Sequence, residues 1–168
     1  MSLSFGDRQV NRMKGEQWVI LHMGIRTTDS IEVAYRELEP GEAEAPAISQ
    51  LLGALNGQNP YDVDKYDHSM VVHYDPPDAT DARRELMIPI YGPVAGLETK
   101  TFPSIRGAFL VYKDTDTSQE EYYEVLRNHI EEGGLKASDD IHSIEIMYVP
   151  EDLDSQDFTI EIMIPLVS

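Results

Sequence analysis

The chain has no cysteine, which excludes a disulfide framework and every thiolate metal site. That suits the cytoplasm, where we expect the protein. Basic residues are scarce. Thirteen Lys and Arg stand against 31 Asp and Glu, a formal net charge of -18. Nucleic acid and anionic membranes are both held by cationic side chains, so this balance opposes them. It favours a cationic ligand or a basic protein surface, besides keeping the chain in solution. No apolar run reaches the roughly 18 residues of a membrane span, and no signal-peptide core follows Met1-Ser2-Leu3. The stretch before Gln17 is too short for a helix-turn-helix. We therefore expect no direct DNA binding and no membrane. His68 and His73 are five apart and His22, His129 and His142 are scattered, without metal-ligand spacing to a carboxylate. The acidic clusters at 37–44, 114–121 and 151–157 lack EF-hand spacing. A phosphate loop, a nucleophile elbow, a Cys/His pair and a haem-type His signature are missing too. No metal and no cofactor are expected.

What the chain does have is a repeat. Glu85-Leu-Met-Ile-Pro-Ile90 returns 76 positions later as Glu161-Ile-Met-Ile-Pro-Leu166. Met70-Val-Val-His-Tyr-Asp-Pro76 returns as Ile144-Glu-Ile-Met-Tyr-Val-Pro150, both ending in Tyr-x-Pro. A unit of this length is too small to bury its own apolar face, so two copies imply one pseudo-twofold domain with a shared core. At 168 residues with 41% hydrophobic content, one globular domain over 1–168 is the expected organisation. Its halves span about 8–91 and 94–168, joined at Tyr91-Gly-Pro93.

Arg8 to Lys14 alternates weakly and offers a short first strand; Gln17 to Met23 offers a stronger one. Over 31–38 the residues Ile31, Ala34, Tyr35 and Leu38 fit a helix, while Ile31, Val33 and Tyr35 fit a strand. The caps Thr28-Asp29-Ser30 and the stop Pro40-Gly41 tilt that segment toward helix. Pro46 opens a helix with the stripe Ile48, Leu51, Leu52 and Leu55, ended by Asn56-Gly57, and 59–67 is a loop. Met70 to Tyr74 and Arg84 to Ile90 are strands. Leu97 to Phe102 and Arg106 to Lys113 form one bent strand or two short ones around Pro103. Thr117-Ser-Gln-Glu120 is a capping box ahead of Tyr122, Tyr123, Val125, Leu126 and Ile130, and Gly133-Gly134 ends that helix. Ile144 to Val149 and Phe158 to Leu166 close the second copy. Each half reads strand, helix, strand, strand. The fold class is α+β, with the two units forming one antiparallel sheet covered by helices on one face.

In the last strand, alternation sends Ile160, Ile162 and Ile164 toward a helix and leaves Thr159, Glu161 and Met163 on the other face. Leu86, Ile88 and Ile90 likewise oppose Glu85 and Met87. A carboxylate beside methionine suits a cleft for an apolar cation, since Met adapts its shape and Glu supplies charge. An ordinary exposed Glu on a solvated sheet gives the same pattern and is the commoner case.

The doubled unit, the Tyr148-Val-Pro150 turn and the ending Thr159-x-Glu161-x-x-Ile164-Pro-Leu166 resemble the gyrase-inhibitor-like (GyrI-like) effector-binding family, most clearly over 97–166. The resemblance implies a duplicated sheet with a central ligand groove, acting in binding or sequestration of an apolar, cationic or aromatic small molecule. It places Glu161 at the ligand's charge and Tyr148 beside it. It also brings Trp18, His22, Phe109, Tyr112 and Met163 to the groove, where aromatic rings stack on flat or cationic ligands. Some stand-alone members hydrolyse cyclopropane-bearing toxins. In that alternative Glu161 is the base or water-positioner and Tyr148 the hydrogen-bond donor. A third reading, following the family name, is an acidic module for a protein partner or a separate regulator.

Overall fold

The computed structural model describes residues 20–56, 68–113, 119–148 and 159–167. In chain order its elements are β1 (Ile20–Thr27), β2 (Ile31–Leu38), α1 (Glu44–Leu55), β3 (His68–His73), β4 (Arg84–Pro89), β5 (Thr99–Phe102), β6 (Arg106–Lys113), α2 (Gln119–Glu132), β7 (Ser143–Tyr148) and β8 (Thr159–Pro165). Trp18, the strand expected over 8–14, the 59–67 loop and the capping residues Thr117 and Ser118 lie outside the described residues.

Both helices start and stop where their chemistry allows. α1 begins two residues before Pro46, so proline falls in the first turn, where no backbone N–H is needed. It buries Ala47, Leu51 and Leu55. α2 buries Tyr122, Tyr123, Leu126 and Ile130. It ends as Gly133 N–H donates to the His129 carbonyl and Leu135 N–H to that of Ile130. Gly134 between them sits at φ 69°, a conformation cheap only for glycine.

The eight strands form one antiparallel sheet in the order β1-β6-β8-β7-β3-β4-β2-β5. Interchanging the two halves (β1 with β5, β2 with β6, β3 with β7, β4 with β8) reverses that order and so reproduces it. The duplication is therefore visible in the topology. Each half has one strand more than the sequence reading gave it, because its first strand pairs across the pseudo-twofold with the second strand of the other half. β1 lies on β6 and β5 on β2.

The segment 31–38, expected as a helix, is strand β2. Its even face places Ala34 and Leu38 under α1, while its odd face turns Val33, Ile31 and Tyr35 to the opposite side of the sheet. Burial on both faces superimposes two alternating sets, and together they mimic a three-four spacing.

The exchanged strands make a continuous ribbon. Arg26 pairs with Gly107 and Val33 with Lys100 in a single register. Between them Thr28 N–H donates to the Ile105 carbonyl at 2.8 Å and Ile105 N–H to Thr28 Oγ1 at 3.1 Å. This ribbon decides the shape. β1 and β2 stand first and seventh in the sheet yet are joined by residues 28–30. Six interstrand steps of about 4.8 Å would separate them by about 29 Å in a flat sheet. Four Cα–Cα links reach about 15 Å at most. The sheet must curl until its ends meet.

α1 and α2 cover the convex side, over Leu86, Ile88 and Val71 in one half and Leu110, Ile162 and Ile164 in the other. The concave side carries a third apolar cluster that includes Met70, Met87, Phe109, Ile144, Ile146 and Met163. No helix among the described residues is long and apolar enough to cross a membrane.

Candidate functional site

Inside the curl, against the ribbon, is a cavity of about 420 Å³ whose walls include Arg26, His68, Phe102, Ile146, Tyr148 and Met163. That volume lies in the range of small-molecule sites. Ile144, Ile146 and Tyr148 share one face of β7, and that face is the concave one.

Glu161 sits beneath this wall on β8, paired with Val111 of β6 and Ile146 of β7, and only 1% of it is exposed. The Tyr148 hydroxyl donates to Glu161 Oε1 at 2.9 Å, and the Arg26 guanidinium pairs with Oε2. Arg26 also lies over the Phe109 ring, 4.9 Å from its centroid. The His22 ring stands 5.1 Å from that of Phe109. Burial pushes the Glu161 carboxyl above the usual carboxylate range; Arg26 and Tyr148 draw it back only in part. Burial, and then the Glu161 charge, push the Tyr148 hydroxyl up to about 12, so it is a neutral hydrogen-bond donor at physiological pH.

The pseudo-twofold repeats this arrangement. Tyr74 donates to Glu85 Oε1 at 2.7 Å, Lys100 Nζ donates to the same oxygen at 2.6 Å, and that ammonium lies 4.1 Å from the Tyr35 centroid. Arg26 and Lys100, Tyr35 and Phe109, and Tyr74 and Tyr148 are each 74 positions apart. In both copies a cation from the exchanged strand of one half occupies a seat made of ring, carboxylate and tyrosine from the other. The two ion pairs tie the ribbon down reciprocally.

Glu161, Tyr148, Phe109, Met163 and His22 thus come together on the concave side. Tyr112 does not join them. It is one parity step from Phe109 and stacks on Tyr122 of α2, centroids 3.9 Å apart, on the convex side. Arg26 and Lys100 escaped the sequence reading although a signal was present. Arg26-Thr27 and Ser30-Ile31 recur as Lys100-Thr101 and Ser104-Ile105 at the same spacing of 74.

The two seats differ in access. Arg26 and Tyr148 line the cavity, whereas Lys100 and Tyr74 do not. The pseudo-twofold mate of Thr28 is Phe102, which is 6% exposed and belongs to the cluster of Val33 and Met87. A benzyl ring fills one end of the groove where a small hydroxyl leaves the other open. Gly107 adds room at the open end. A Cβ there would stand 2.7 Å from Met163 Cγ and 3.1 Å from the Ile164 carbonyl oxygen. Gly107→Ala is expected to drive Met163 into the cavity, costing about 1–3 kcal/mol and reducing ligand uptake, as paired urea denaturation and ligand titration would measure. Among the described residues one set of three candidate metal ligands comes together, Glu44, His73 and Glu145, outside this groove.

A duplicated antiparallel α+β sheet, curled around an apolar groove with helices outside, defines the class: this is the gyrase-inhibitor-like fold. Three solved structures share it. The EcmrR C-terminal domain matches with a TM-score of 0.65 at 12% identity, over 91% of this chain and 99% of that one. SAV2435 bound to tetraphenylphosphonium matches with 0.51 at 14% identity, over 87% and 94%. An integron cassette protein from the mobile metagenome of Vibrio cholerae matches with 0.52 at 14% identity, over 90% and 100%. No protein-family model and no curated protein matches the sequence.

Proposed function

We propose that the groove binds an apolar aromatic cation, seated over Phe109 against Glu161 and Tyr148 in the place the Arg26 guanidinium occupies. The observation that carries this reading is the seat itself: a cation over a ring, against a buried carboxylate, beside an apolar cavity. Desolvated cation–ring contacts are worth about 2 kcal/mol or more, and the net charge of -18 attracts cations from solution. A protein of the same fold is seen with tetraphenylphosphonium. Hydrolysis has less support, since Glu161 is 1% exposed and its oxygens face Arg26 and Tyr148.

Thermal denaturation with tetraphenylphosphonium tests the proposal. A ligand at 100 times its Kd adds about 2.7 kcal/mol, or about 5–10 °C for a domain of this size. The wild type is expected to show that shift and Glu161→Gln to lose it, while a neutral aromatic of similar size affects both alike. An absence of any shift in the wild type would move the function toward a protein partner.

A further inference from the structure

We infer that Glu44, His73 and Glu145 form a binding site for one divalent transition-metal ion of the zinc class, tying the two halves together on the convex side of the sheet. Glu44 opens α1, His73 ends β3, and Glu145 lies mid-strand in β7, so one ion would join both halves close to the pseudo-twofold. Candidate ligand atoms of the three residues lie within 4.8 Å of one another. The tightest pair, His73 Nε2 and Glu145 Oε1, is 3.0 Å apart, close to the ligand-to-ligand spacing that bonds of about 2.0–2.2 Å produce.

Three further observations point to a cation. His73 is buried, 6% exposed, and its Nε2 faces Glu145 Oε1 inside the cluster. A metal on Nε2 leaves the imidazole proton on Nδ1. The second Glu145 oxygen accepts a hydrogen bond from the Tyr123 hydroxyl at 3.1 Å, the outer contact that orients a ligating carboxylate. Beside the cluster is a cavity of about 150 Å³ lined by Glu44, Glu145, Ser69 and Gln119, which gives a water room at an open coordination position. Charge fits as well. Two carboxylates share this part-buried space. Arg84 pairs with Glu44 at 3.3 Å, while Glu145 meets the His73 ring and the Tyr123 hydroxyl. Two carboxylates and one imidazole are a zinc-type donor set. Histidine spacing conceals such a set, because its members come from three separate elements.

The experiment uses tag-free, chelator-stripped protein titrated with Zn²⁺ against a chromophoric chelator, and with Co²⁺ followed by visible absorption. One equivalent of Zn²⁺ is expected to bind with micromolar or tighter affinity and to raise the melting temperature. Co²⁺ is expected to give a ligand-field band with one nitrogen donor. His73→Gln and Glu145→Gln should each weaken uptake by tenfold or more, while His68→Gln leaves it unchanged. The Co²⁺ spectrum of the wild type keeps the test independent of whether those variants fold. Failure of the wild type to take up a stoichiometric ion, or uptake unaltered in both variants, overturns the inference.

Discussion

Arg26→Gln is expected to cost the fold about 2–3 kcal/mol at neutral pH and to tighten binding of tetraphenylphosphonium by tenfold or more. The stability loss follows from Glu161, 1% exposed, which would keep its burial and lose its counter-charge. Removing one member of a buried pair costs about 3–5 kcal/mol. Arg26 is itself 37% exposed, which places this case at the lower end. The affinity gain follows from the same change, because the ligand's cation no longer displaces an internal one, and each tenfold corresponds to about 1.4 kcal/mol. The pH dependence fixes the cause. A carboxyl whose pKa is higher in the folded than in the unfolded state takes up a proton on folding. Its stabilising contribution is present at low pH and lost as pH rises through the folded pKa. Glu161 is already raised in the wild type, and loss of Arg26 raises it further. The stability gap between variant and wild type should therefore be smaller at acidic than at neutral pH. Cation affinity should rise with pH as Glu161 ionises. Urea denaturation at the two pH values and calorimetric titration measure both. A gap that does not change with pH would mean that Arg26 acts through packing and not through the Glu161 charge.

Much of this architecture was legible in the sequence, and the parts that were not share a cause. The Glu-x-Met-Ile-Pro repeat gave the duplication, and alternation in β8 correctly divided Ile160, Ile162 and Ile164 from Glu161 and Met163. Those inferences use a period of two, which survives whenever the two faces differ in chemistry. β2 has two buried faces, so its pattern lost the contrast that marks a strand. Tyr112 illustrates the same limit. Aromatic character suggested the groove, but position parity, set by the register with β8, sent it beneath α2. The ion pair that holds Glu161 joins residues 135 positions apart across an exchanged strand, and nothing local to either residue announces it. Only comparison of the two copies, Arg26-Thr27 with Lys100-Thr101, carries that information.

The same comparison says what should happen when the copies are made alike. Phe102→Ala is expected to cost about 3–5 kcal/mol, the usual range for deleting a buried ring, and to extend the groove toward Lys100 and Glu85. Phe102 occupies the position that Thr28 holds in the other copy, two residues beyond the cation and on the same face of its strand. Both positions border the open groove, but at one the side chain is a small hydroxyl and at the other a benzyl ring that packs among Val33 and Met87. Removing the ring leaves a space flanked by an ammonium over Tyr35 and a carboxylate held by Tyr74, the mirror of the Arg26 seat. Stoichiometry reads the outcome directly. Calorimetry with tetraphenylphosphonium should move from one site per chain in the wild type to two in the variant, the new site being the weaker. The weakness has a structural cause: Glu85 is 19% exposed in its side chain, so its charge is better screened by water than that of Glu161. A variant that loses the expected stability yet still binds one ligand, with no extension of the groove in its crystal structure, would show that the ring does not set the difference between the two seats. The asymmetry would then have to come from Gly107 and Val33, the next pair of pseudo-twofold mates that differ in size along the groove.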